Sequence, residues 1–507
     1  MISLETNQLN AHVSEISNIL NVINLLNWDA STGMPEGASE NRGKQIATLS
    51  QLAQKIILSD ELSGALKVAE SKNDQTIYDI RSQKALRDAI DHFSKIPASL
   101  VAKQAQLSAE AETAWREARA NNDFKKFQPF LTQIIDLKRD IAERVGYENH
   151  PYEAVTNEFE TGLKVPILQT LFKQLRERLV PLAKKVHAAE KPDNEFLFRH
   201  FPIEKQYQFS TALAKKIGYD FSRGRLDTTT HPFEISMTRE DVRITTRFNP
   251  NFLNAGVFGT LHEAGHAIYE QNVAPELSGT PLTLDLLGLY AVAGTSYGVH
   301  ESQSRLWENR VGRSFEFWQN HFGLLKDTFK GSLDDVSLDT FYRAINRSEP
   351  SFIRVEADEL TYDLHIMLRA EIEMGLMDGS LQVKQLPEFW RSKMQEYLGI
   401  SPDNDTQGVL QDIHWSKGMI GSFPTYTLGN VMASQFMEAA LKQNPQINND
   451  LSNAQYDSLL NWLRDNILKH GRTYTPDELL VRATGKSLGP EYYLKYLEVK
   501  FSNIYRL

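Results

Sequence analysis

The stretch FLNAGVFGTLHEAGHAIY, Phe252 to Tyr269, decides the reading of this chain. Its apolar residues Phe252, Val257, Phe258, Leu261, Ile268 and Tyr269 follow a helical spacing. Asn249-Pro250 ahead of it offers a capping side chain and a first-turn proline, while Pro275 and Gly279 close it. Within that helix, four residues separate His262 from His266, so both imidazoles stand on one face, with Glu263 beside them. Two neutral imidazoles suit a divalent ion such as zinc, and a neighbouring carboxylate can take a proton from water at the open coordination position. With 13 histidines in 507 residues, chance yields roughly 0.02 such HExxH pentads in a chain of this length, so the bland alternative of two histidines on a polar helix face is the weaker one.

Composition narrows the class further. The chain has 55 Lys plus Arg against 65 Asp plus Glu, a net charge of −10, which argues against sequence-independent binding to nucleic acid or to an anionic membrane surface. Cysteine is absent, so disulfides, thiolate metal ligands and thiol nucleophiles are excluded, and a cytoplasmic location fits. Met1 to Leu20 carries Glu5 and Glu15 and lacks the basic start and apolar centre of a secretion signal. The most apolar run, Leu286 to Val299, contains three glycines and reads as a buried strand and turn, not a membrane span.

No Gly/Ser-rich or low-complexity run divides the chain, so one large unit is expected. Amphipathic helical spacing recurs through Gln45–Leu58, Ala98–Ala120, Lys126–Val145 and Val165–Ala189, and again through Glu301–His321, Phe352–Gly375, Leu386–Leu398 and Asn430–Leu441. One region alternates instead. From His231 to Phe248, Phe233, Ile235 and Met237 form one set and Val242, Ile244, Thr246 and Phe248 another, with a charged turn at Thr238–Asp241, which predicts a β-hairpin just before the HExxH helix. Arg243, Thr245 and Arg247 fall on the face opposite Val242 and Ile244. The fold class is therefore mainly α with a small antiparallel β-sheet.

A catalytic zinc needs a third protein ligand, here Asp, Glu or His. Positions 269 and 272 are Tyr269 and Asn272, so the HExxHxxGxxH arrangement is absent and a downstream residue is required. Val299-His300-Glu301-Ser302 opens the next helix, and both Glu301 and His300 are candidates there; a carboxylate at a helix start can also be purely structural.

Several ordered segments together resemble the carboxypeptidase Taq family of thermostable zinc metallocarboxypeptidases. They are His231-Pro232-Phe233, Asp241-Val242-Arg243-Ile244-Thr245, the pentad His262–His266, His300-Glu301-Ser302, Ile353-Arg354-Val355-Glu356-Ala357-Asp358 and Gly408-Val409-Leu410-Gln411-Asp412-Ile413-His414-Trp415. Trp28-Asp29, Met34-Pro35 and Arg42 are similar too, so the likeness runs from about residue 20 to the carboxyl end. Ser422 departs from it, standing where an aromatic residue is expected.

The resemblance implies a large helical metallopeptidase fold with a long substrate groove. A single catalytic unit would span 1–507, with 1–220 forming one groove wall and 221–507 holding the sheet, the zinc site and further helices. It implies His262, His266 and Glu301 as ligands of one zinc ion per chain, with cobalt or manganese as possible substitutes, and Glu263 as the general base. It further implies Tyr426 as oxyanion donor with His414 as its partner, and Arg243 and Arg354 as receptors of a terminal carboxylate, which a guanidinium binds bidentately. His231 is placed near the substrate; Trp28 and Asp29 read as structural. For Arg354 the plainer alternative is a helix-surface ion pair with Asp358. The implied activity is removal of single residues from peptides with a free carboxyl terminus, with broad preference, by a cytoplasmic homodimer. A dipeptidyl carboxypeptidase or oligopeptidase is the alternative, and a non-catalytic peptide-binding scaffold the more distant one.

Overall fold

Leu9, Val13, Ile16, Leu20 and Ile23 recur every three or four residues along helix α1 (Leu4–Thr32), and all five are buried. They pack on Ala53 and Ile57, on Leu62, Leu66 and Ala69, and on Leu86 and Phe93 of the following helices. This computed structural model describes residues 4–507, and its elements are mainly α-helices. The chain forms two compact units, each woven from three segments. The first comprises Met1–Ser94, Asp193–Ile345 and Met432–Ser487; the second comprises Lys95–Pro192, Asn346–Val431 and Leu488–Leu507. The division drawn near residue 220 from sequence falls inside the first unit. Among the described residues no helix is long and apolar enough to cross a membrane.

The helices expected from periodicity are present as Ser39–Ile57, Ala98–Asn121, Phe124–Val145, Val165–Ala188, Leu386–Leu398 and Pro424–Gln443. Two expected helices are shorter or broken. The segment predicted as Glu301–His321 is three pieces: helix α3 (Tyr297–Arg305), a π-turn Leu306–Val311, and a new helix Phe315–Thr328 capped by Ser314 Oγ on the Phe317 N–H. A Cβ on Gly312 would lie 2.7 Å from Leu261 Cδ1 and 2.8 Å from Glu308 O, so the chain turns where only glycine fits. The segment predicted from Phe352 begins as helix α4 only at Tyr362 (Tyr362–Asp378). Asp358 accepts from the Glu349, Leu360 and Thr361 N–H groups, and these local bonds hold a turn in place of a helix.

The hairpin is present as strands β2 (Glu234–Thr238) and β3 (Asp241–Thr246), antiparallel, with Arg239-Glu240 at its tip. A third strand, β1 (Leu226–Thr228), pairs parallel to β3 and makes it the central strand; its three residues are too few to alternate recognisably in sequence. The register sets Ile235 opposite Arg243 and Glu234 opposite Ile244. Glu234 and Ser236 therefore share a face with Val242 and Ile244, while Ile235 shares the face of Arg243. Both faces are covered. Ser236 Oγ donates to Glu270 on one side, and Arg243 lies over Trp28 of α1 on the other. Asn24 Nδ2 donates to Ser236 O and Ala291 O, both at 2.7 Å, pinning α1 to the sheet.

The pentad lies in helix α2 (Leu253–Gln271), buried along most of its length. Asn249-Pro250 does not cap it: Asn249 Oδ1 accepts from the Asn251 N–H and its carbonyl from Phe252, so the pair forms a turn ahead of a helix whose N-cap is Phe252.

Candidate metal centre

Gly265, at the centre of the pentad, sets how closely α2 and α3 approach. A Cβ there would lie 2.7 Å from both Gln303 O and Ser304 Cα. Ser296 Oγ caps α3 by accepting from Val299 N at 3.0 Å, and one turn later Glu301 points back at α2. Its Oε2 lies 3.3 Å from His266 Nε2 and 3.6 Å from His262 Nε2. One donor atom from each of His262, His266 and Glu301 lies within 4.8 Å of the others, and this is the one such group among the described residues. Two imidazole nitrogens and a carboxylate oxygen converging on one point fit a divalent ion with an open position.

The supports of these three groups differ. Glu301 Oε1 accepts from Arg305 Nε at 2.6 Å and Oε2 from Ser304 Oγ at 3.0 Å. Burial alone would raise this carboxyl, but Arg305 and the two histidines outweigh it and hold the pKa well below the usual range. His262 Nδ1 lies 2.9 Å from Glu308 Oε2, a carboxylate that also meets Arg305 and Arg313. Burial disfavours charge on both histidines. At His262 the carboxylates of Glu301 and Glu308 overcome it and raise the pKa, while at His266 burial and His300 bring it down to about 3.

His300, the other candidate ligand, is engaged elsewhere. Its Nε2 lies 3.0 Å from Glu270 Oε1, and its ring stacks on His266 at 4.6 Å and on Tyr269 at 5.4 Å. Glu270 also accepts from the Ala293 and Gly294 N–H groups. Glu263 is 6 % exposed, and burial pushes its carboxyl up to about 7, where it can hold or release a proton near neutrality.

Of the remaining candidates, Arg243 and His231 belong to the first unit. Arg243 is bidentate with Asp241 (Nε–Oδ1 and Nη2–Oδ2, both 2.8 Å) and sits 4.4 Å above the Trp28 ring. His231 is exposed just before β2. Arg354, His414 and Tyr426 belong to the second unit and stand together. His414 Nε2 is 3.4 Å from Tyr426 OH, and the Arg354 guanidinium is 5.4 Å from the Tyr426 ring. Burial, then Arg354, lowers His414 to about 4. The helix-surface pairing of Arg354 with Asp358 is not made. Arg354 is 6 % exposed in a 3-10 turn, its Nε donates to Asp412 Oδ1 at 2.9 Å, and its Nη1 donates to Tyr362 OH at 3.0 Å.

Comparison with known proteins decides the family. Residues 8–501 match the sequence model described as Carboxypeptidase Taq (M32) metallopeptidase. The chain belongs to the M32 family. It is 40 % identical to "Carboxypeptidase 1" of Bacillus subtilis, covering 95 % of each chain, and 39 % identical to "Thermostable carboxypeptidase 1" of Thermus thermophilus, covering 94 % of each. The solved M32 carboxypeptidase of Deinococcus radiodurans R1 superposes with a TM-score of 0.96 at 39 % identity over the whole of both chains. This M32 chain is therefore an enzyme of the metallocarboxypeptidase class, a hydrolase whose family acts on peptides with a divalent metal.

Three groups that support the candidate residues, one half-buried and two buried, went unmarked by the sequence. Glu308 follows Glu301 by two helical turns, a spacing visible in sequence, though nothing in that spacing alone marks it as a partner of His262. Arg369 is fully buried on α4 and donates from Nε to Asp412 Oδ2 at 2.6 Å. Glu373, also on α4, accepts from Tyr152 OH, Trp415 Nε1 and the Gly421 N–H, and so fixes the segment that carries His414 and leads to Tyr426. No local pattern marks the last two, because their partners come from distant parts of the chain. Ser422 is buried and its Oγ bonds to Met419 O within the same segment.

Proposed function

We propose that this chain is a zinc carboxypeptidase that removes one residue at a time from the free carboxyl end of peptides, with broad side-chain preference. The observation that carries the reading is the convergence of His262 Nε2, His266 Nε2 and Glu301 Oε2 beside a buried Glu263. A divalent ion held by those three groups supplies Lewis-acid polarisation of the scissile carbonyl and of the attacking water. The donor set of two nitrogens and one oxygen suits zinc, and cobalt or manganese could replace it.

Glu263 takes a proton from water onto its carboxylate and delivers it to the leaving amine. Burial favours the protonated form through which Glu263 passes, and a carboxyl so placed can do both within one turnover. Tyr426 donates its hydroxyl to the developing oxyanion, and His414, 3.4 Å away and uncharged near neutrality, holds that hydroxyl in place. Arg243 and Arg354 receive the terminal carboxylate. Each has its Nε edge engaged by an aspartate, which orients the outer guanidinium nitrogens. His231, exposed before β2, is assigned to contact the peptide, and a cytoplasmic homodimer completes the reading.

A peptide with a free carboxyl terminus and its carboxy-terminal amide, incubated separately with zinc-loaded protein, test this. Cleavage of the free form alone is expected. Equal cleavage of both defeats the exopeptidase reading, and cleavage of neither favours a peptide-binding scaffold.

A further inference from the structure

Arg354 sits in a single 3-10 turn, Arg354–Glu356, an element too short to fix a long side chain by itself. What fixes it is Asp412. Oδ1 of Asp412 takes Arg354 Nε and lies 2.9 Å from Nη2, while Oδ2 takes Arg369 Nε at 2.6 Å. Arg369 is the rigid member of this triad. It is fully buried on α4, its Nη1 donates to His365 O at 2.7 Å, and its guanidinium lies 4.6 Å from the Trp390 ring and 5.6 Å from Phe423. Asp412 therefore cannot swing without breaking a short charged bond in a buried place, and Arg354 inherits that rigidity.

We infer that Asp412 is a positioning residue for carboxylate recognition: it couples Arg354 to the immobile Arg369. The inference rests on the reading of Arg354 as a receptor of the substrate carboxylate. Two arguments support it. Asp412 Oδ1 lies against the Nε–Nη2 edge of Arg354 and Tyr362 OH accepts one Nη1 hydrogen, so the second hydrogen on each of Nη1 and Nη2 is what an incoming carboxylate meets. The charges also point that way, since two guanidiniums share one carboxylate. The other nearby buried acid, Glu373, is bonded to Tyr152, Trp415 and Gly421 and not to either arginine. One positive charge is left over, which an added carboxylate would balance.

The test uses full-length zinc-loaded Asp412→Asn and Arg354→Ala with a peptide of free carboxyl terminus. Two inhibitors accompany it: 3-phenylpropanoate, which offers a carboxylate, and acetohydroxamate, which offers none. For Asp412→Asn, KM and the inhibition constant of 3-phenylpropanoate should both rise at least about tenfold, with kcat held within about threefold and acetohydroxamate inhibition unchanged. A merely structural role would weaken both inhibitors alike and overturn the inference. Unchanged KM in Arg354→Ala would overturn the Arg354 reading itself. Raised KM in Arg354→Ala with unchanged KM in Asp412→Asn would overturn only the role of Asp412. If Asp412→Asn does not fold, Arg369→Gln carries the test: a raised KM with kcat held supports the coupling, and an unchanged KM refutes it.

Discussion

Replacing Glu308 by Gln removes the charge behind His262 while keeping the size of the side chain. Glu308 Oε2 lies 2.9 Å from His262 Nδ1, close enough to hold a proton on Nδ1 and leave the Nε2 lone pair directed toward Glu301 and His266. Loss of such a carboxylate typically costs about 10- to 100-fold in metal affinity, or about 1.4 to 2.7 kcal/mol. The upper end is expected here for two reasons. The carboxylate also balances Arg305 and Arg313, which would be left facing an amide. A glutamine can also turn its amide N–H toward Nδ1, which would put the imidazole proton on Nε2, the ligand atom. The assay is competition for zinc between metal-stripped protein and a chromophoric chelator of known affinity, with thermal unfolding of the metal-free proteins as a check on the fold. At saturating zinc, kcat should return to within about fivefold of the unsubstituted enzyme, because Glu308 acts through His262 and not on substrate. Zinc affinity within about twofold of the unsubstituted protein would show that Glu308 does not support His262 as a ligand.

Glu263→Gln should retain zinc by elemental analysis while kcat falls about 10²- to 10⁴-fold; loss of metal would show that Glu263 is a ligand, not a base. Gly265→Ala forces a methyl against Gln303 O and Ser304 Cα and should separate α2 from α3. It should lower stability by about 1–3 kcal/mol or more in a denaturant titration and weaken zinc binding with it. Burial pushes Glu373 up to about 7 from an ordinary 4.5, so the folded protein keeps a proton that the unfolded chain has already released. That contribution is full below the unfolded value and lost as pH rises through about 7, roughly 3 kcal/mol across the window. Glu373→Gln should therefore flatten the decline in unfolding midpoint between about pH 5 and about pH 8.

The two-histidine part of the His262–His266–Glu301 cluster is legible in sequence because its geometry is local. His262 and His266 are set by helical pitch, and the hairpin by alternation closed at Arg239-Glu240. The choice between Glu301 and His300 was not local. It turns on Glu270 reaching His300 from the far end of α2, and on Gly265 letting α3 come close. Periodicity also overran its limits at Arg305 and at Phe352. In one case a π-turn and Gly312 break the helix; in the other Asp358 captures backbone N–H groups that a helix would need. The environment of Arg354 was least legible, since Asp412 and Tyr362 meet it, and Arg369 meets Asp412, through the tertiary fold alone.

His262, His266, Glu301 and Glu263 are proposed to remove one carboxy-terminal residue per turnover. A mass-resolved time course of one mixed-sequence peptide, run with zinc-loaded protein and with Glu263→Gln, tests it most directly. Successive products each one residue shorter at the carboxyl end, absent with the variant, are the predicted result. Products shortened by two residues, internal fragments, or equal turnover by Glu263→Gln would contradict it.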